Sequence, residues 1–489
     1  MGRLSFVLPL LALGFVTTIA LAQSGEADAG NVTFSILHSF SGGDGGAPYA
    51  ALIQAANGEL YGTTYGGSYS AGTVFKITTS GTLTTLHHFC AQVGCTDGEQ
   101  PLAGLVQAAN GDLYGTTRFG GVDAYYGTVF KISPSGTLTT LYSFCTQSGC
   151  PDGGNPEAGL VQAANGDLYG TTYGGYYVYP TVSYGTVFKI TPTGTLTTLY
   201  SFCLQANCAY AEYPEAGLVQ AANGHLYGTT WGGGANGDGG TIFEISPNGS
   251  LSTVYSFCAL DECPNGERPQ AALIQATNED LYGTTEYGGA NGLGAVFKIT
   301  PSGTLTLLYS FCGQPNCADG YFSGAGVIQA NDGDFYGITT SGGAYGGGTV
   351  FKITPSGALT TLYSFCTQPE CTDGKFPNGG LVQDTNGNFY GTTYDGGANG
   401  DGTVFRLSLG LKPFVKIQPT SGKVGETVKI LGTDLTGATS VTFNGTPAVF
   451  TIKSPTEITT TVPAGATTGK VEVITPEGTL SSNVAFRIP

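Results

Sequence analysis

The sequence predicts an all-β protein: a seven-bladed β-propeller closed by an N-terminal strand, followed by an immunoglobulin-like β-sandwich. A Leu/Phe-Tyr-Gly-(Thr or Ile)-Thr motif recurs seven times, and 80 Gly and 28 Tyr fit short strands joined by tight turns. No part of the repeats shows a convincing helical period. The motif tyrosines, spaced by 53 to 58 residues, are Tyr61, Tyr114, Tyr169, Tyr227, Tyr282, Tyr336 and Tyr390. A fixed period of this length indicates a repeat architecture whose units bury their apolar faces against one another.

The composition limits the class of partner. Charged residues are 10% of the 489-residue chain, and the net charge is −17. Nucleic acids and anionic membrane surfaces both need basic patches, so neither is expected as a partner. Aromatic residues are plentiful, which argues against a disordered chain.

Residues 1–22 resemble a secretory signal peptide. Arg3 precedes an apolar stretch over 4–20, and Ala20-Leu21-Ala22 supplies a small-residue cleavage site. The sequence therefore predicts a secreted or cell-surface bacterial protein. No later apolar run is long enough for a membrane span, and the remaining chain carries 34 acidic against 16 basic residues, a net charge of −18.

Twelve cysteines fall into six pairs with one spacing. An even cysteine count in an exported chain indicates disulfides, and the short spacing favours closure of a local loop within each pair. Bridges between neighbouring loops are the alternative, while a zinc site is disfavoured by the ligand spacing. The pairs are Cys90/Cys95, Cys145/Cys150, Cys203/Cys208, Cys258/Cys263, Cys312/Cys317 and Cys366/Cys371.

One repeat reads as four antiparallel strands. The predicted strands in the second copy are 103–108, 112–117, 128–132 and 137–144. Asn110-Gly111 between the first two predicts a type I′ hairpin turn. Four antiparallel strands make one propeller blade, which buries both faces against its neighbours.

The two ends of the repeat region predict ring closure. Residues 31–40 look like a spare fourth strand, whereas the seventh copy has only three. Pairing the two would complete a propeller over 31–410 and leave no open sheet edge; an open β-solenoid is the alternative. Residues 411–489 lack the repeat, and short alternating strands such as 440–443 and 470–474 predict the immunoglobulin-like domain.

The repeat phrase "GLVQAANGDLYGTTYGG…GTVFKITPSGTLTTLYSF" resembles the tandem repeat of exported bacterial choice-of-anchor GloVer-repeat proteins over about residues 32–408. The segment after Pro413 resembles an IPT/TIG domain, through Pro419, Gly422, Gly425 and Gly432. The TIG resemblance implies an interaction or spacer module, and neither resemblance implies a catalytic residue. The chain ends in "FRIP" without the anchor motif typical of that repeat family.

Comparison of the seven copies suggests where a ligand would bind. The turns between strands one and two and between strands three and four are nearly invariant. The loops between strands two and three and the links between copies vary, and they hold every cysteine. Variable, disulfide-braced loops on a rigid ring are typical of a binding face; unconstrained drift is the alternative.

Aromatic residues on the variable side are the candidate ligand-binding residues. They stand before the Gly-Gly pair of most copies or in the long loop of the third copy: Tyr65, Phe119, Tyr173, Trp231, Tyr287 and Tyr394, with Tyr176, Tyr177 and Tyr179. Such rings could stack on sugars, or they could wedge between blades as core. A recurrent Gln on the first strand is expected to satisfy inter-blade hydrogen bonds or face a channel, and recurrent Lys residues on the third strand are expected to be solvated.

Catalysis would need residues that break the symmetry. The fourth and fifth copies contribute Glu212, His225, Trp231, Asp238, Glu244, Asp261, Glu262 and Glu286, from which an acid/base pair could be drawn. Four histidines at unsuitable spacing predict no metal site, and the calcium-loop pattern is missing. No cofactor is expected.

The sequence thus predicts a non-catalytic binding or adhesion protein for an extracellular glycan or protein. A carbohydrate-active enzyme with a carboxylate pair on the variable face is one alternative, and a structural cell-envelope protein is another.

Overall fold

The computed structural model describes residues 32–67, 71–174, 184–202, 211–260 and 262–488. The predicted signal peptide (1–22) lies outside these residues. The described secondary structure is β, apart from two short 3-10 turns at Pro315–Cys317 and Pro369–Cys371. Within the same residues, no helix is long and apolar enough to span a bilayer.

The described residues of the repeat region form 28 strands, numbered in chain order. An N-terminal strand, β1 (Thr33–Ser39), precedes seven units. Units 1 to 4 contain β2 (Ile53–Gln54), β3 (Leu60–Thr64), β4 (Thr73–Ile77), β5 (Leu83–His88); β6 (Val106–Gln107), β7 (Leu113–Thr117), β8 (Thr128–Ile132), β9 (Leu138–Ser143); β10 (Val161–Gln162), β11 (Leu168–Thr172), β12 (Thr186–Ile190), β13 (Leu196–Ser201); β14 (Val219–Gln220), β15 (Leu226–Thr230), β16 (Thr241–Ile245) and β17 (Leu251–Ser256). Units 5 to 7 contain β18 (Ile274–Gln275), β19 (Leu281–Thr285), β20 (Ala295–Ile299), β21 (Leu305–Ser310); β22 (Ile328–Gln329), β23 (Phe335–Thr339), β24 (Thr349–Ile353), β25 (Leu359–Ser364); β26 (Val382–Gln383), β27 (Phe389–Thr393) and β28 (Thr403–Ser408).

Each unit forms one four-stranded antiparallel sheet, in a propeller-like arrangement of repeated sheets. The predicted third strand, Thr128–Ile132, has the observed bounds. The predicted first strand is too long, because only Val106–Gln107 joins the ladder. The preceding Ala103 carbonyl instead accepts a hydrogen bond from the Thr63 hydroxyl of the previous unit (2.9 Å), so this stretch connects two sheets.

The type I′ prediction for Asn110-Gly111 is wrong. Only Gly111 has a positive φ (91°), whereas type I′ needs two such residues. The Gly111 amide donates to the Ala108 carbonyl (2.9 Å) and the Ala108 amide to the Asp112 carbonyl (3.0 Å), as in a type I turn followed by a left-handed glycine. The Asn110 side chain favours this form, since its Oδ1 accepts from the Asp112 amide (3.0 Å).

The spare N-terminal strand pairs with the last unit. β1 lies antiparallel to β28, with Ile36 opposite Phe405, and the resulting sheet has the order β1-β28-β27-β26. A register irregularity lies between Ile36 and His38. The seventh unit therefore obtains its fourth strand from the beginning of the chain.

Apolar cores lie between successive sheets. Tyr61 and Val74 of unit 1 pack with Leu113 and Phe130 of unit 2. Phe75 of unit 1 lies in one cluster with Tyr390 and Val404 of unit 7. The motif tyrosines are 0–1% exposed. The motif glycine is required by this packing, because a Cβ on Gly115 would lie 2.6 Å from the Phe130 ring.

The recurrent first-strand glutamines join neighbouring units, which is the structural role the sequence favoured. Oε1 of Gln107 accepts from the Ala56 amide of unit 1 (2.8 Å). Oε1 of Gln54 accepts from the Thr385 amide of unit 7 (3.1 Å), so the same bond also joins the last unit to the first.

The C-terminal segment folds into two further four-stranded sheets. Its strands are β29 (Lys416–Gln418), β30 (Thr427–Leu431), β31 (Ser440–Phe443), β32 (Thr446–Pro447), β33 (Phe450–Ser454), β34 (Glu457–Thr461), β35 (Val471–Thr475) and β36 (Gly478–Ser481). The sheets have the orders β29-β30-β34-β33 and β32-β31-β35-β36, and one apolar core that includes Val428, Val441 and Phe486 serves both.

This segment contacts the invariant turns between the first and second strands of the units. The Thr456 hydroxyl donates to the Ala56 carbonyl (2.8 Å), and the Phe414 amide donates to the Thr385 carbonyl (3.0 Å). The Lys429 ammonium donates to the Ala109 carbonyl (2.9 Å). The Asn331 side chain of unit 6 also donates to the Lys412 carbonyl (2.8 Å), and Glu279 of unit 5 pairs with Arg487 (3.2 Å). In the described part of the chain, residues of five units are thus bonded to the C-terminal segment.

Candidate functional site

A cavity of about 480 Å³ is lined by residues from every one of the seven units, and we call it the shared cavity. It lies at the strand ends that carry the variable loops and links. Its lining comes from the links before each first strand, from the residues that follow the second strands, and from one loop aromatic. The lining residues are Tyr49, Tyr65, Leu102, Arg118, Glu157, Glu215, Gln270, Gly324, Thr340, Phe376, Asn378 and Tyr394.

One structural position supplies seven of these residues. It is the residue after the link proline, or after Ser323 in unit 6, and we call it the link position. Each unit places this residue at the cavity because the link runs into the first strand at the same depth in each sheet. The link-position residues are Tyr49, Leu102, Glu157, Glu215, Gln270, Gly324 and Asn378. The side chain at the link position differs between units, whereas the residue before it is a proline in six of the seven units.

Two link-position carboxylates face the shared cavity in different electrostatic settings. Oε1 of Glu157 lies 3.0 Å from Nε of Arg118. Burial raises the pKa of Glu157, and the Arg118 charge opposes the shift. Burial raises the pKa of Glu215 to about 8; the Glu157 and Glu286 charges add to the shift, and the Arg118 charge opposes it. Glu215 therefore carries a proton near neutral pH, whereas Glu157 has a cationic neighbour.

A third carboxylate, Glu286, follows the second strand of unit 5. Burial raises its pKa, while interactions with Tyr287, Arg268 and Trp231 oppose the shift. The Arg268 guanidinium lies 4.2 Å from the centre of the Trp231 ring. Glu286 is thus part of a charged and aromatic cluster beside the shared cavity.

Aromatic and amide groups complete the lining. The rings of Tyr49 and Tyr394 meet edge to face at 6.3 Å, and they are 41% and 36% exposed. The Thr340 hydroxyl donates to Oδ1 of Asn378 (3.3 Å). Burial raises the pKa of Tyr49, and the charges of Glu157, Glu215 and Glu286 raise it further. The negative potential of the carboxylates therefore reaches the tyrosine of unit 1.

The structure divides the predicted aromatic set between two positions. Tyr65 and Tyr394 directly follow a second strand and line the shared cavity. Phe119 and Tyr287 come one residue later, where their backbones form bridges to Glu99 and Glu267. Adjacent residues of an extended chain point to opposite sides. The sequence comparison, which aligned the copies on the Gly-Gly pair, therefore grouped aromatics from two structurally different positions.

Trp231 and Tyr173, the other predicted aromatics for which the structure gives ring contacts, are not among the lining residues. Trp231 packs against Arg268, and the Tyr173 ring stacks on Tyr213 with centroids 4.8 Å apart. Tyr176, Tyr177 and Tyr179 lie outside the described residues. Ligand binding by the set stays a prediction.

The predicted acidic candidates lie in different places: Glu244 is bonded within its own unit, and burial together with the Asp238 charge raises the pKa of Glu212. Glu244 accepts from the Tyr227 hydroxyl (2.9 Å) and lies 2.6 Å from Nδ1 of His225. Glu212 forms a backbone bridge with Gly232, and Asp261 lies outside the described residues. Among the described members of that set, Glu286 is the one whose charge acts on a cavity carboxylate, that of Glu215. Sequence reasoning missed Glu157, Glu215 and Arg118, although variation directly after a recurrent proline would have identified the first two.

Five cysteine pairs are disulfides within their own loops, as predicted: Cys90–Cys95, Cys145–Cys150, Cys258–Cys263, Cys312–Cys317 and Cys366–Cys371. Cys203 and Cys208 lie outside the described residues. Among the described residues, only Cys258, Cys263 and Glu267 bring three possible ligand atoms within 4.8 Å of one another. Two of the three are sulfurs of one disulfide, so no thiolate is available there for a metal.

Fold and site together define a repeat protein of four-stranded sheets with a shared cavity and a C-terminal immunoglobulin-like domain. The chain belongs to the Gloeobacter/Verrucomicrobia repeat family, which matches residues 26–239, 152–265 and 217–450. An IPT/TIG domain matches residues 414–488. Both findings confirm the resemblances seen in the sequence.

Several solved structures are similar to this chain. A candidate gluconolactonase has 9% identity over 78% of this chain and 94% of its own, with a TM-score of 0.38. A candidate glucose dehydrogenase-type oxidoreductase from Thermus thermophilus has 14% identity over 77% and 100%, with a TM-score of 0.41. The extracellular domain of a candidate hybrid two-component system from B. thetaiotaomicron has 10% identity over 92% and 58%, with a TM-score of 0.48. A search of curated proteins found no match.

Proposed function

We propose that the seven sheets are the blades of a closed propeller over 31–410, with the IPT/TIG domain over 411–489. Three observations support closure. β1 completes the last sheet, the Gln54 bond joins unit 7 to unit 1, and the Thr392 hydroxyl donates to the Ala50 carbonyl (3.3 Å) as equivalent threonines do between other units. A cavity lined by all seven units has the same origin.

We propose further that the protein binds an extracellular saccharide in the shared cavity without changing it covalently. The observation that carries this proposal is the lining itself. Exposed tyrosine rings offer flat apolar surfaces, while carboxyl, amide and hydroxyl groups offer donors and acceptors at fixed points. A volume of about 480 Å³ suits one or two sugar rings better than a protein surface. The disulfide-rich loops are consistent with an extracellular location.

A glycan array followed by titration tests the proposal. Trp231 is the single tryptophan and lies in the cluster beside the cavity, so its fluorescence should report saturable binding. We expect Tyr394→Ala to weaken binding at least about tenfold by removing a cavity wall. Tyr345→Ala is the matched control, because Tyr345 is 61% exposed in a loop and does not line the cavity. Equal losses in both variants, or no retained glycan, would contradict the proposal, and the latter would favour a structural envelope role.

A second candidate function is glycoside hydrolysis, favoured by the carboxylates at the cavity. A protonated Glu215 could donate a proton to a leaving oxygen while an ionised Glu157 assists on the other side. Analysis of each bound glycan after prolonged incubation separates the two functions. Product formation that disappears in Glu215→Gln identifies an enzyme, whereas intact glycan with saturable binding identifies a binding protein.

A further inference from the structure

The described lining of the shared cavity contains more acidic than basic residues. Glu157 and Glu215 line it, and Glu286 is close enough to influence Glu215 electrostatically. Among the described residues of the lining, Arg118 is the one cationic side chain, and it pairs with the Glu157 carboxylate at 3.0 Å. In the described part of the chain, no ion pair or hydrogen bond satisfies the Glu215 carboxylate. Glu215 is thus an unpaired acid at the wall of a preformed cavity.

Aromatic rings border the same space. Tyr49, Tyr65, Tyr394 and Phe376 belong to the lining, and Phe376 is 37% exposed. The face of an aromatic ring attracts a cation through its quadrupole, and rings combined with a carboxylate are the usual receptors for alkylated ammonium groups. The chain's net charge of −17 adds a general attraction for cations.

We propose that the shared cavity recognises an organic cation, namely an ammonium group carried by the small polar ligand, with the tyrosine rings as its walls and the Glu215 carboxylate, which releases its proton to solvent as the cation binds, as its counter-charge. The inference rests on the proposed binding function of the cavity and specifies the chemistry of its ligand. An ammonium group would give Glu215 the partner that the protein does not provide, whereas a neutral sugar would not.

The geometry favours an organic cation over a metal ion. A metal site needs several ligand atoms converging on one point. Within the described ranges, Glu157, Glu215 and Glu286 do not form a group with all three carboxylates inside 4.8 Å of one another. Carboxylates spread around a cavity with aromatic walls suit a larger, diffuse positive charge.

The experiment compares two probes of the same shape. Choline carries a permanent charge, and 3,3-dimethyl-1-butanol is its neutral counterpart. Calorimetric titration of the full chain should show that choline binds at least tenfold more tightly, since a desolvated cation–π contact with a carboxylate exceeds the roughly 1.4 kcal/mol that tenfold represents. Equal affinity for the two probes, or no binding of choline, would overturn the inference.

Two substitutions locate the effect. Glu215→Gln should reduce choline affinity about tenfold and leave the neutral probe within about twofold. Gln270→Glu places a carboxylate at the link position of the next unit and should strengthen choline binding, which keeps the test informative if the first variant folds poorly. Glu472→Gln, at an exposed position of the C-terminal sheets, is the control for net charge.

The outcomes separate this inference from the proposed function. Glycan binding that choline does not displace would refute the organic-cation inference and leave the binding function intact. Choline binding that depends on Glu215, with no retained glycan, would support the cation chemistry and refute a saccharide ligand.

Discussion

At the residue scale, three of the recurrent lysines on the third strands, Lys76, Lys131 and Lys352, are parts of local ion pairs. Nζ of Lys76 lies 2.9 Å from Oε2 of Glu59 in the preceding turn of its own unit. Unit 4 exchanges the residue types, with His225 in the turn and Glu244 on the strand, and Nδ1 of His225 lies 2.6 Å from Oε1 of Glu244. The sequence predicted solvated charges at these positions. The exchange of both residues in one copy was visible in the sequence, but strand register was needed to pair them.

The reversed pair permits an exchange experiment. Glu244→Lys alone should destabilise the protein by about 0.5–1 kcal/mol, because it removes the acceptor of His225 and of the Tyr227 hydroxyl. His225→Asp/Glu244→Lys reproduces the arrangement of the other units and should recover most of that loss. Urea unfolding of the two single variants and the double variant measures the coupling. If the stability loss of the double variant equals the sum of the losses of the two single variants, the two residues are independent.

Glu215 makes a separate prediction about pH. Its native pKa of about 8 lies above the ordinary value for an unfolded glutamate. Between about pH 4.5 and 8 the native state holds a proton that the unfolded state has lost, so this group's contribution to stability decreases as the pH rises. The free energy of unfolding of Glu215→Gln minus that of the parent should therefore be larger at pH 8.5 than at pH 5. The expected increase is on the order of 2 kcal/mol after solvent screening. Denaturant unfolding at both values tests this, and an unchanged difference would contradict it.

At the element scale, the bounds of a strand were predictable where its own sequence pattern determines them, and were not where contacts with another unit determine them. The third strands alternate regularly, and their bounds were predicted correctly at Thr128–Ile132. The first strands were overextended, since the sequence cannot show that the Ala103 carbonyl accepts from a side chain of another unit. The cavity lining was predicted only at Tyr65 and Tyr394. The link-position residues come from seven segments that are far apart in the sequence, and only the folded structure brings them to one cavity.

The pairing of β1 with β28 makes the next prediction. The Phe34 ring stacks on Tyr363 with centroids 3.8 Å apart and lies 5.5 Å from the Phe405 ring. Phe34→Ala should cost roughly 2–3 kcal/mol, because the half-buried ring leaves a gap between the last two sheets. The fourth strands of other units supply the control, because a leucine occupies the position equivalent to Phe34 in β5 (Leu83) and in β9 (Leu138).

Phe34→Leu should accordingly stay within about 1.5 kcal/mol of the parent. Guanidinium unfolding measures both variants, and limited proteolysis near the N-terminus reports release of β1 in the alanine variant. Equal stability of the alanine and leucine variants would indicate that β1 contributes little to the last sheet.

At the scale of the whole molecule, the two ends of the sheets serve different purposes. The C-terminal sheets bond to the turns between first and second strands, at Ala56, Ala109 and Thr385. The shared cavity lies at the opposite strand ends, among the variable links. Contact with another domain is one physical constraint on those turns, whereas the link positions remain free to differ.

Lys416 is the residue through which the attachment of the C-terminal sheets is best tested. Its Nζ donates to the Gln383 carbonyl (2.6 Å) and to Oε1 of Gln54 (3.2 Å), and so bonds to units 7 and 1 at once. Burial lowers the pKa of Lys416 to about 8, and the Asp384 charge opposes the shift. Lys416→Met removes both bonds and leaves Asp384, whose pKa burial raises, without its cationic neighbour. We expect a loss of roughly 3 kcal/mol.

The loss should appear in calorimetry as an earlier transition of the C-terminal sheets, separate from that of the repeat region. Adding Asp384→Asn should recover much of it, since the uncompensated acid is then gone. Lys429→Met is the matched control: it also breaks a bond between the two parts, to the Ala109 carbonyl, but at an exposed site where the cost should stay below about 1 kcal/mol. Equal shifts for the two lysine variants would mean that the attachment depends on total contact area, and that the polar group buried between units 7 and 1 has no special role in it.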